Sequence, residues 1–113
     1  MRCRNIIKDG RRRRYIGFVI KASTGDQHIE RFEIIGEIKR RCRQLFSKDY
    51  KELGIYLTRF DGEKGIVRCN HIENENTIKL LRSINKIYSN EVEIKTLGTA
   101  GTIKSLIKKH MEK

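Results

Sequence analysis

The chain has 113 residues with 26 lysines and arginines against 14 acidic residues, a formal net charge of +12. This length predicts one domain with a single core, and the charge favours a polyanionic partner over a basic surface kept only for solubility. Cys3, Cys42 and Cys69 lack CxxC spacing, which predicts reduced thiols rather than a metal or disulfide framework. No apolar run matches a membrane span or signal peptide, so we expect a cytoplasmic protein with no membrane partner.

Residues 1–14 form a predicted basic N-terminal arm, followed by one domain over residues 15–113. Within the arm, four consecutive arginines lead directly into an alternating apolar strand; they are Arg11, Arg12, Arg13 and Arg14. If that strand lies in the middle of the sheet, it fixes the position of the arginines relative to the folded domain. We interpret the run as a contact for RNA phosphates. The alternative is a disordered arm or a localisation-type cluster.

The first half of the domain predicts one helix and three strands. Apolar alternation indicates a strand over Tyr15–Ala22, and apolar spacing of three and four indicates a helix from His28 to Phe46. Two short strands, Ile55–Phe60 and Gly65–Cys69, flank the hairpin turn DGEK. The first helix is also cationic near its C-terminal end, which the helix dipole explains as well as RNA binding does.

The second half predicts two helices and one strand. Asn70 is a candidate cap for a helix that extends to Tyr88, and alternation from Val92 to Thr96 indicates a fourth strand. Glycines at 98 and 101 then predict a turn into a short third helix. The element order β-α-β-β-α-β plus a C-terminal helix predicts an α+β fold. This fold is a ferredoxin-like or RNA-recognition-motif-like sandwich with a four-stranded antiparallel sheet, its first and third strands central.

Alternation along the strands predicts which side chains face away from the two long helices. Candidate partner-binding residues on that face are Tyr15, Tyr56, Phe60 and Ile66, and Arg68 is a candidate RNA ligand beside them. The third strand, KGIVRCN, lacks the aromatic residues that stack bases in RNA-recognition motifs. We therefore expect the third helix or a partner subunit, rather than stacked bases, to cover this face.

The sequence contains one candidate phosphate site and no recognisable catalytic site. The segment GTAGTIK ends in Lys104 and predicts either a phosphate seat at a helix start or an ordinary glycine turn with a threonine cap. Because it lacks P-loop spacing, it is not a nucleotide-binding motif. The three histidines have no companion at metal-ligand spacing, and no nucleophile has an evident base. We predict no catalytic residue and no metal or cofactor bound by the protein.

The motifs RRYIGFVI, KGIVRCN and TLGTAGTIK, in this order and spacing, resemble the family of archaeal ribonuclease P protein component 2, which includes a subunit of the eukaryotic enzyme. The resemblance covers nearly the whole chain. It implies an α/β sandwich in the ribonucleoprotein that removes the 5′ leader from precursor tRNA. There the RNA subunit hydrolyses the phosphodiester and requires Mg²⁺. The implied partners are the ribonuclease P RNA, precursor tRNA, two copies of component 3 with two of this chain, and the other protein subunits.

Two other functions are compatible with this fold, and the first of them also with the charge. A ribosomal or general RNA-binding module would bind RNA without stimulating cleavage of precursor tRNA. A small phosphatase-like enzyme of the acylphosphatase kind would need a glycine-and-arginine loop after the first strand. The segment ASTGDQ at residues 22–27 lacks such a loop, which argues against the enzyme.

Overall fold

In residues 12–22, 29–87 and 90–111, which the computed structural model describes, five antiparallel strands form one curled sheet with three helices packed on it. The strands are β1 (Arg13–Ala22), β2 (Tyr56–Phe60), β3 (Lys64–Asn70), β4 (Lys86–Ile87) and β5 (Asn90–Ala100). Their order across the sheet is β2-β3-β1-β5-β4. The α+β class and the inner positions of the first and third strands are confirmed. The predicted count of four strands is wrong.

The two long helices pack on one face of the sheet, and the short C-terminal helix packs on the other. They are α1 (Arg31–Phe46), α2 (Asn74–Ser83) and α3 (Ile103–Leu106), and α3 continues as a π-helical turn over Ile107–Met111. The core lies between the sheet and α1 with α2, and its central strand residues are Ile16, Phe18 and Ile20. Alternate residues of β1 point to the opposite side. We call this opposite side the open face.

Helix α1 is defined at both ends by its caps. The Glu33 side chain accepts a hydrogen bond from the backbone N–H of Glu30 at 2.9 Å. At the other end Ser47 adopts a left-handed conformation, with φ of 56°, and its N–H bonds the Arg43 carbonyl. The helix therefore starts at Arg31, three residues later than predicted, and ends at Phe46 as predicted.

The predicted hairpin between β2 and β3 is confirmed. One carboxylate oxygen of Asp61 accepts hydrogen bonds from the backbone N–H groups of Glu63, at 2.9 Å, and Lys64, at 2.7 Å. These bonds, the one from Lys64 first, lower the pKa of Asp61 because they favour the charged carboxylate. Gly62 has a φ of 101°, a conformation in which a side chain would be strained.

The second helix is shorter than predicted, and its expected last turn belongs to the sheet. Helix α2 ends at Ser83, whose hydroxyl donates to the Leu80 carbonyl, and the chain turns extended at Ile84. Lys86 and Ile87 then pair with Glu91 and Asn90 as a hairpin. Ile87 is buried, as its place in the predicted helix also required, so its apolar spacing could not distinguish the helix from a strand.

The fourth predicted strand is longer than expected, which changes how α3 reaches the sheet. Strand β5 continues through Gly98 to Ala100, and Gly98 pairs with Gly17 of β1. A Cβ atom at Gly17 would lie 2.9 Å from the Met111 sulfur, and one at Gly98 would lie 2.4 Å from the His110 ring. The paired glycines therefore let the C-terminal segment approach the backbone of the open face. The predicted Gly98 turn is wrong, because the chain leaves the sheet only after Ala100.

A glycine between two phenylalanines gives a matched stability test. Gly65 pairs with Phe18 on one side and Phe60 on the other, and these two rings stack with centroids 6.2 Å apart. A Cβ at Gly65 would lie 2.6 Å from the Phe18 ring and 2.9 Å from the Arg59 carbonyl oxygen. We expect Gly65→Ala to lower the free energy of unfolding by about 1–3 kcal/mol, measured by urea denaturation.

Gly36 in α1 is the control for that substitution. A Cβ there would meet nothing within 4 Å. Alanine is the better residue in a helix interior, so Gly36→Ala should raise the free energy of unfolding by roughly 0.5–1 kcal/mol. Equal effects of the two substitutions would contradict the packing described at Gly65.

Candidate nucleic-acid interface

The open face of the sheet carries an excess of positive charge. Register places seven basic residues on it, namely Arg13, Lys21, Arg59, Lys64, Arg68, Lys86 and Lys95. The acidic residues that the strand register places on this face, Glu91 and Glu93, lie near the hairpin of β4 and β5. The end of the open face formed by β2, β3 and the start of β1 is therefore cationic, which suits a polyanion.

The arginine run is held where β1 enters the sheet. Arg13 pairs with Asn70, and Arg14 pairs with Cys69, so both belong to the central strand. Arg12 precedes the strand, and its carbonyl accepts a hydrogen bond from the His71 N–H at 2.9 Å. Arg11 lies outside the described residues. Two of the four arginines of the run thus belong to the sheet, and a third is hydrogen-bonded beside it. Alternation places Arg13 on the open face and Arg14 on the helix face.

Arg68 lies in a row of cross-strand neighbours with two tyrosines. It pairs with Tyr56 of β2 on one side and with Tyr15 of β1 on the other. Its guanidinium carbon lies 5.1 Å from the centroid of the Tyr56 ring, which is a cation–π contact. The structure therefore brings together one predicted RNA ligand and two predicted partner ligands.

Of the other two predicted partner ligands, Phe60 is partly buried on the helix face and Ile66 is buried on the open face. Register shifts between Leu57 and Arg59, which turns Phe60 toward the core, where it stacks on Phe18. The expectation that Phe60 lies on the open face is wrong, because this bulge reverses the alternation of β2. Ile66 is on the open face but is only 2% exposed. It pairs with Gly17, which the C-terminal segment covers.

Arg59 was missed by the sequence analysis for the same reason that Phe60 was misplaced. Uninterrupted alternation from Tyr56 puts Arg59 on the helix face, but the bulge at Thr58 turns it to the open face opposite Ile66. The hydroxyl of Thr58 donates to the Ile66 carbonyl at 3.0 Å. No residue pattern in this strand indicates the bulge.

Lys104 is exposed on α3. The segment that precedes it does not form the predicted phosphate-binding turn over residues 98–101. Gly98 to Ala100 are strand residues paired with β1. Only Gly101 and Thr102 connect the strand to the helix, where the Thr102 hydroxyl accepts from the Ser105 N–H at 3.1 Å. This geometry is an ordinary threonine cap. Lys104 remains an exposed cation on the helix that covers the open face.

The basic cluster of α1 is partly neutralised within its own helix. Glu37 is buried, and its carboxylate accepts from Arg40 at 2.5 Å and from Arg41 at 3.3 Å. Lys39 lies over the Tyr50 ring, 5.0 Å from its centroid. These contacts satisfy three of the cations that made the helix a candidate for RNA binding. The helix face is therefore the weaker candidate for RNA.

The described part of the chain contains no group of three or more His, Cys, Asp or Glu that could hold a metal ion. Cys42 and Cys69 are fully buried, as their apolar neighbours predicted. Burial is the main cause that raises the pKa of both thiols, so they stay protonated and unreactive. In the same described residues, no helix is long and apolar enough to cross a membrane. What this surface offers chemically is positive charge and exposed aromatic area.

The sequence is similar to those of known proteins. A relative from Archaeoglobus fulgidus, called ribonuclease P protein component 2, is 32% identical over 101 residues, which cover 89% of this chain and 90% of the relative. A protein of the same name from Methanosarcina mazei is 22% identical over 102 residues, with 89% and 85% covered.

Structural comparison extends the likeness to a eukaryotic assembly. A chain of the cryo-EM structure of yeast ribonuclease MRP has a TM-score of 0.62 and 13% identity, covering 81% of this chain and 76% of that chain. This likeness concerns the fold alone. The model of the Rpp14/Pop5 family matches residues 14–111, from the last arginine of the run to the end of the described C-terminal segment. The chain therefore belongs to the Rpp14/Pop5 family.

Proposed function

We propose that the chain is a protein subunit of ribonuclease P, the ribonucleoprotein that removes the 5′ leader from precursor tRNA. The observation that carries this proposal is the family match over residues 14–111, together with relatives called ribonuclease P protein component 2. The cationic end of the open face supports it independently, because a subunit of a ribonucleoprotein needs a surface for RNA phosphates.

In this proposal the sheet and the two long helices are a ferredoxin-like domain of the RNA-recognition-motif kind. The strand order β2-β3-β1-β5 and the antiparallel pairing of β1 with both neighbours support that assignment. The short strand β4 and helix α3 are then additions to the domain. Residues 1–14 are the basic arm of the proposed domain organisation, although its last two residues already belong to β1.

The proposed division of labour leaves the chemistry to the RNA. An RNA active site brings phosphates together, and their repulsion opposes compaction. Arginines held on a stiff strand lower that repulsion, so the RNA folds at a lower Mg²⁺ concentration. The RNA subunit holds the Mg²⁺ and hydrolyses the phosphodiester bond, and this chain contributes no catalytic residue. The candidate RNA ligands in this role are Arg11, Arg12, Arg13, Arg14, Arg68 and Lys104.

The proposed partners are the ribonuclease P RNA, precursor tRNA, component 3 and the remaining protein subunits, in the cytoplasm. Component 3 would be present in two copies with two copies of this chain. Of the four residues predicted to bind a partner, Tyr15 and Tyr56 lie on the open face with some exposed surface. A partner on that face could reach them.

Reconstitution tests the proposed function directly. The full chain is mixed with a ribonuclease P RNA and component 3, and cleavage of precursor tRNA is measured over a series of Mg²⁺ concentrations. We expect the chain to raise the cleavage rate at limiting Mg²⁺. Binding of RNA without any stimulation would instead identify a general RNA-binding module. Hydrolysis of an acyl phosphate by the isolated chain would identify the small enzyme.

A further inference from the structure

Tyr56, Arg68 and Tyr15, which the proposed function names singly as candidate contacts, form one row across three strands. Cross-strand neighbours on one face have Cβ atoms about 4.5–5.5 Å apart, so the three side chains are adjacent. Arg68 lies between the two tyrosines and contacts the Tyr56 ring at 5.1 Å. The guanidinium of Arg68 therefore lies over one face of the Tyr56 ring.

The charge of Arg68 is not neutralised within the described part of the chain. No carboxylate lies within ion-pair distance of it there. Its Nε atom is buried and has no hydrogen-bond partner. The contact with the Tyr56 ring does not supply a counter-charge, and a partly desolvated cation is stabilised when an anion pairs with it. Because Nε is buried, an anion brought by a ligand would pair with the other N–H groups of this guanidinium and not with Nε.

Tyr56 is held in place on one side and open on the other. The residue is 52% exposed, which is unusual for a large aromatic side chain that belongs to a sheet. It borders a small apolar cleft of about 100 Å³ between α1 and β2, lined also by Ile35, Tyr50 and Ile55. The contact with Arg68 orients the ring, and about half of the residue's surface stays exposed to a planar ligand.

The surroundings of the row select the kind of ligand. Arg13 and Arg59 lie on the same face, in the two rows of paired residues that flank this one. Arg13 is in the row of Asn70, and Arg59 is in the row of Ile66. The acidic residues of this face, Glu91 and Glu93, lie toward the hairpin at the other end of β5. Helix α3 covers the next row, at Gly17 and Gly98, so the free surface has room for a single flat group rather than a long stacked series.

We propose that Tyr56 and Arg68 form a site for one unpaired nucleotide of RNA. The base stacks on the free surface of the Tyr56 ring, and Arg68 holds the adjoining phosphate with help from Arg59 and Arg13. Stacking on an aromatic ring tolerates every base, so the site recognises an unpaired nucleotide and not a sequence. This inference rests on the proposed function for the identity of the polyanion as RNA. It assigns to β2 and β3 a contact that neither the arginine run nor the family match specifies.

The test compares a decamer of uridine with a blunt-ended RNA duplex of the same length, using the full chain. Tyr56→Ala should weaken binding to the single strand by about 5-fold to 100-fold and change duplex binding less than about twofold. Tyr56→Phe should bind like the wild type, because the ring remains. Phe32→Ala removes another exposed aromatic residue, from α1, and should leave both affinities unchanged.

A second measurement does not depend on the folding of the alanine variant. The chain has no tryptophan, so Tyr56→Trp introduces a single fluorescent reporter at the site. Addition of the uridine decamer should quench the indole fluorescence of this variant, whereas the duplex should not. Arg68→Lys keeps the charge but loses the planar guanidinium, and should weaken single-strand binding severalfold.

The outcomes separate this inference from the proposed function. Unquenched indole fluorescence in the Tyr56→Trp variant, together with wild-type RNA affinity of Tyr56→Ala, would overturn the site. Loss of component 3 capture by Tyr56→Ala, with RNA affinity intact, would overturn it in favour of a protein partner. Cleavage of precursor tRNA by the reconstituted wild type is measured in parallel, so failure of the site with retained stimulation leaves the proposed function standing.

Discussion

Replacing Arg11, Arg12, Arg13 and Arg14 by alanine should weaken binding to ribonuclease P RNA on the order of 1000-fold at about 0.1 M salt. Each cation that meets a phosphate releases a counterion, and contributes about 0.7–0.9 to the slope of log K against log salt. Removing four such contacts should therefore make the slope shallower by about 3. Filter binding over a salt series measures both quantities. The same variant should need more Mg²⁺ to support cleavage in the reconstituted enzyme.

A second quadruple variant controls for the loss of charge alone. Arg43, Lys48, Lys79 and Arg82 lie on or beside the helix layer, and their replacement by alanine removes the same four charges. If the arginine run acts by its position on β1, this control should change the slope and the Mg²⁺ requirement much less. Equal changes in the two variants would mean that only net charge matters, and would contradict the role given to β1.

Phe18→Ala should lower the free energy of unfolding by about 3–5 kcal/mol. Phe18 is fully buried in the middle of β1, between β3 and β5, and its ring stacks on Phe60. Alanine would remove the transfer free energy of the ring and leave a cavity that the sheet cannot close by moving one strand. Such a loss is a large part of the stability of a small domain, so the midpoint of urea denaturation should fall strongly.

Phe32→Ala is the matched control for this prediction. Phe32 is 63% exposed on α1, so its truncation should change the free energy of unfolding by no more than about 0.5 kcal/mol. A comparable loss in both variants would show that the core does not lie between β1 and the two long helices. Circular dichroism of both variants distinguishes a stability change from a failure to fold.

The elements with strong local patterns were predictable. The alternation of β1, the three-and-four spacing of α1 and the DGEK turn each agree with the structure to within a few residues. In each of these, local conformational preference and the burial of apolar side chains favour the same structure, so one sequence pattern suffices. The three motifs RRYIGFVI, KGIVRCN and TLGTAGTIK are also local patterns, and their order and spacing identify the family from the sequence.

The errors concern residues whose surroundings are set by distant parts of the chain. Ile87 satisfies a helical pattern and a strand pattern equally, and pairing with β5 decided between them. Gly98 has the composition of a turn, but its pairing with Gly17 makes it part of β5. A glycine can serve either purpose, and the choice depends on what packs against it.

The amino-acid sequence by itself determined the excess of positive charge, its concentration before the first strand, the order of the main elements and the family. These properties depend on composition and on neighbours along the chain. Only the tertiary structure decided which side chains share the open face. A bulge at Thr58 exchanges the sides of Arg59 and Phe60, and helix α3 buries Ile66 while leaving Tyr56 free. The side to which a strand residue points depends on the pairing register, and register is fixed by contacts between residues far apart in the chain.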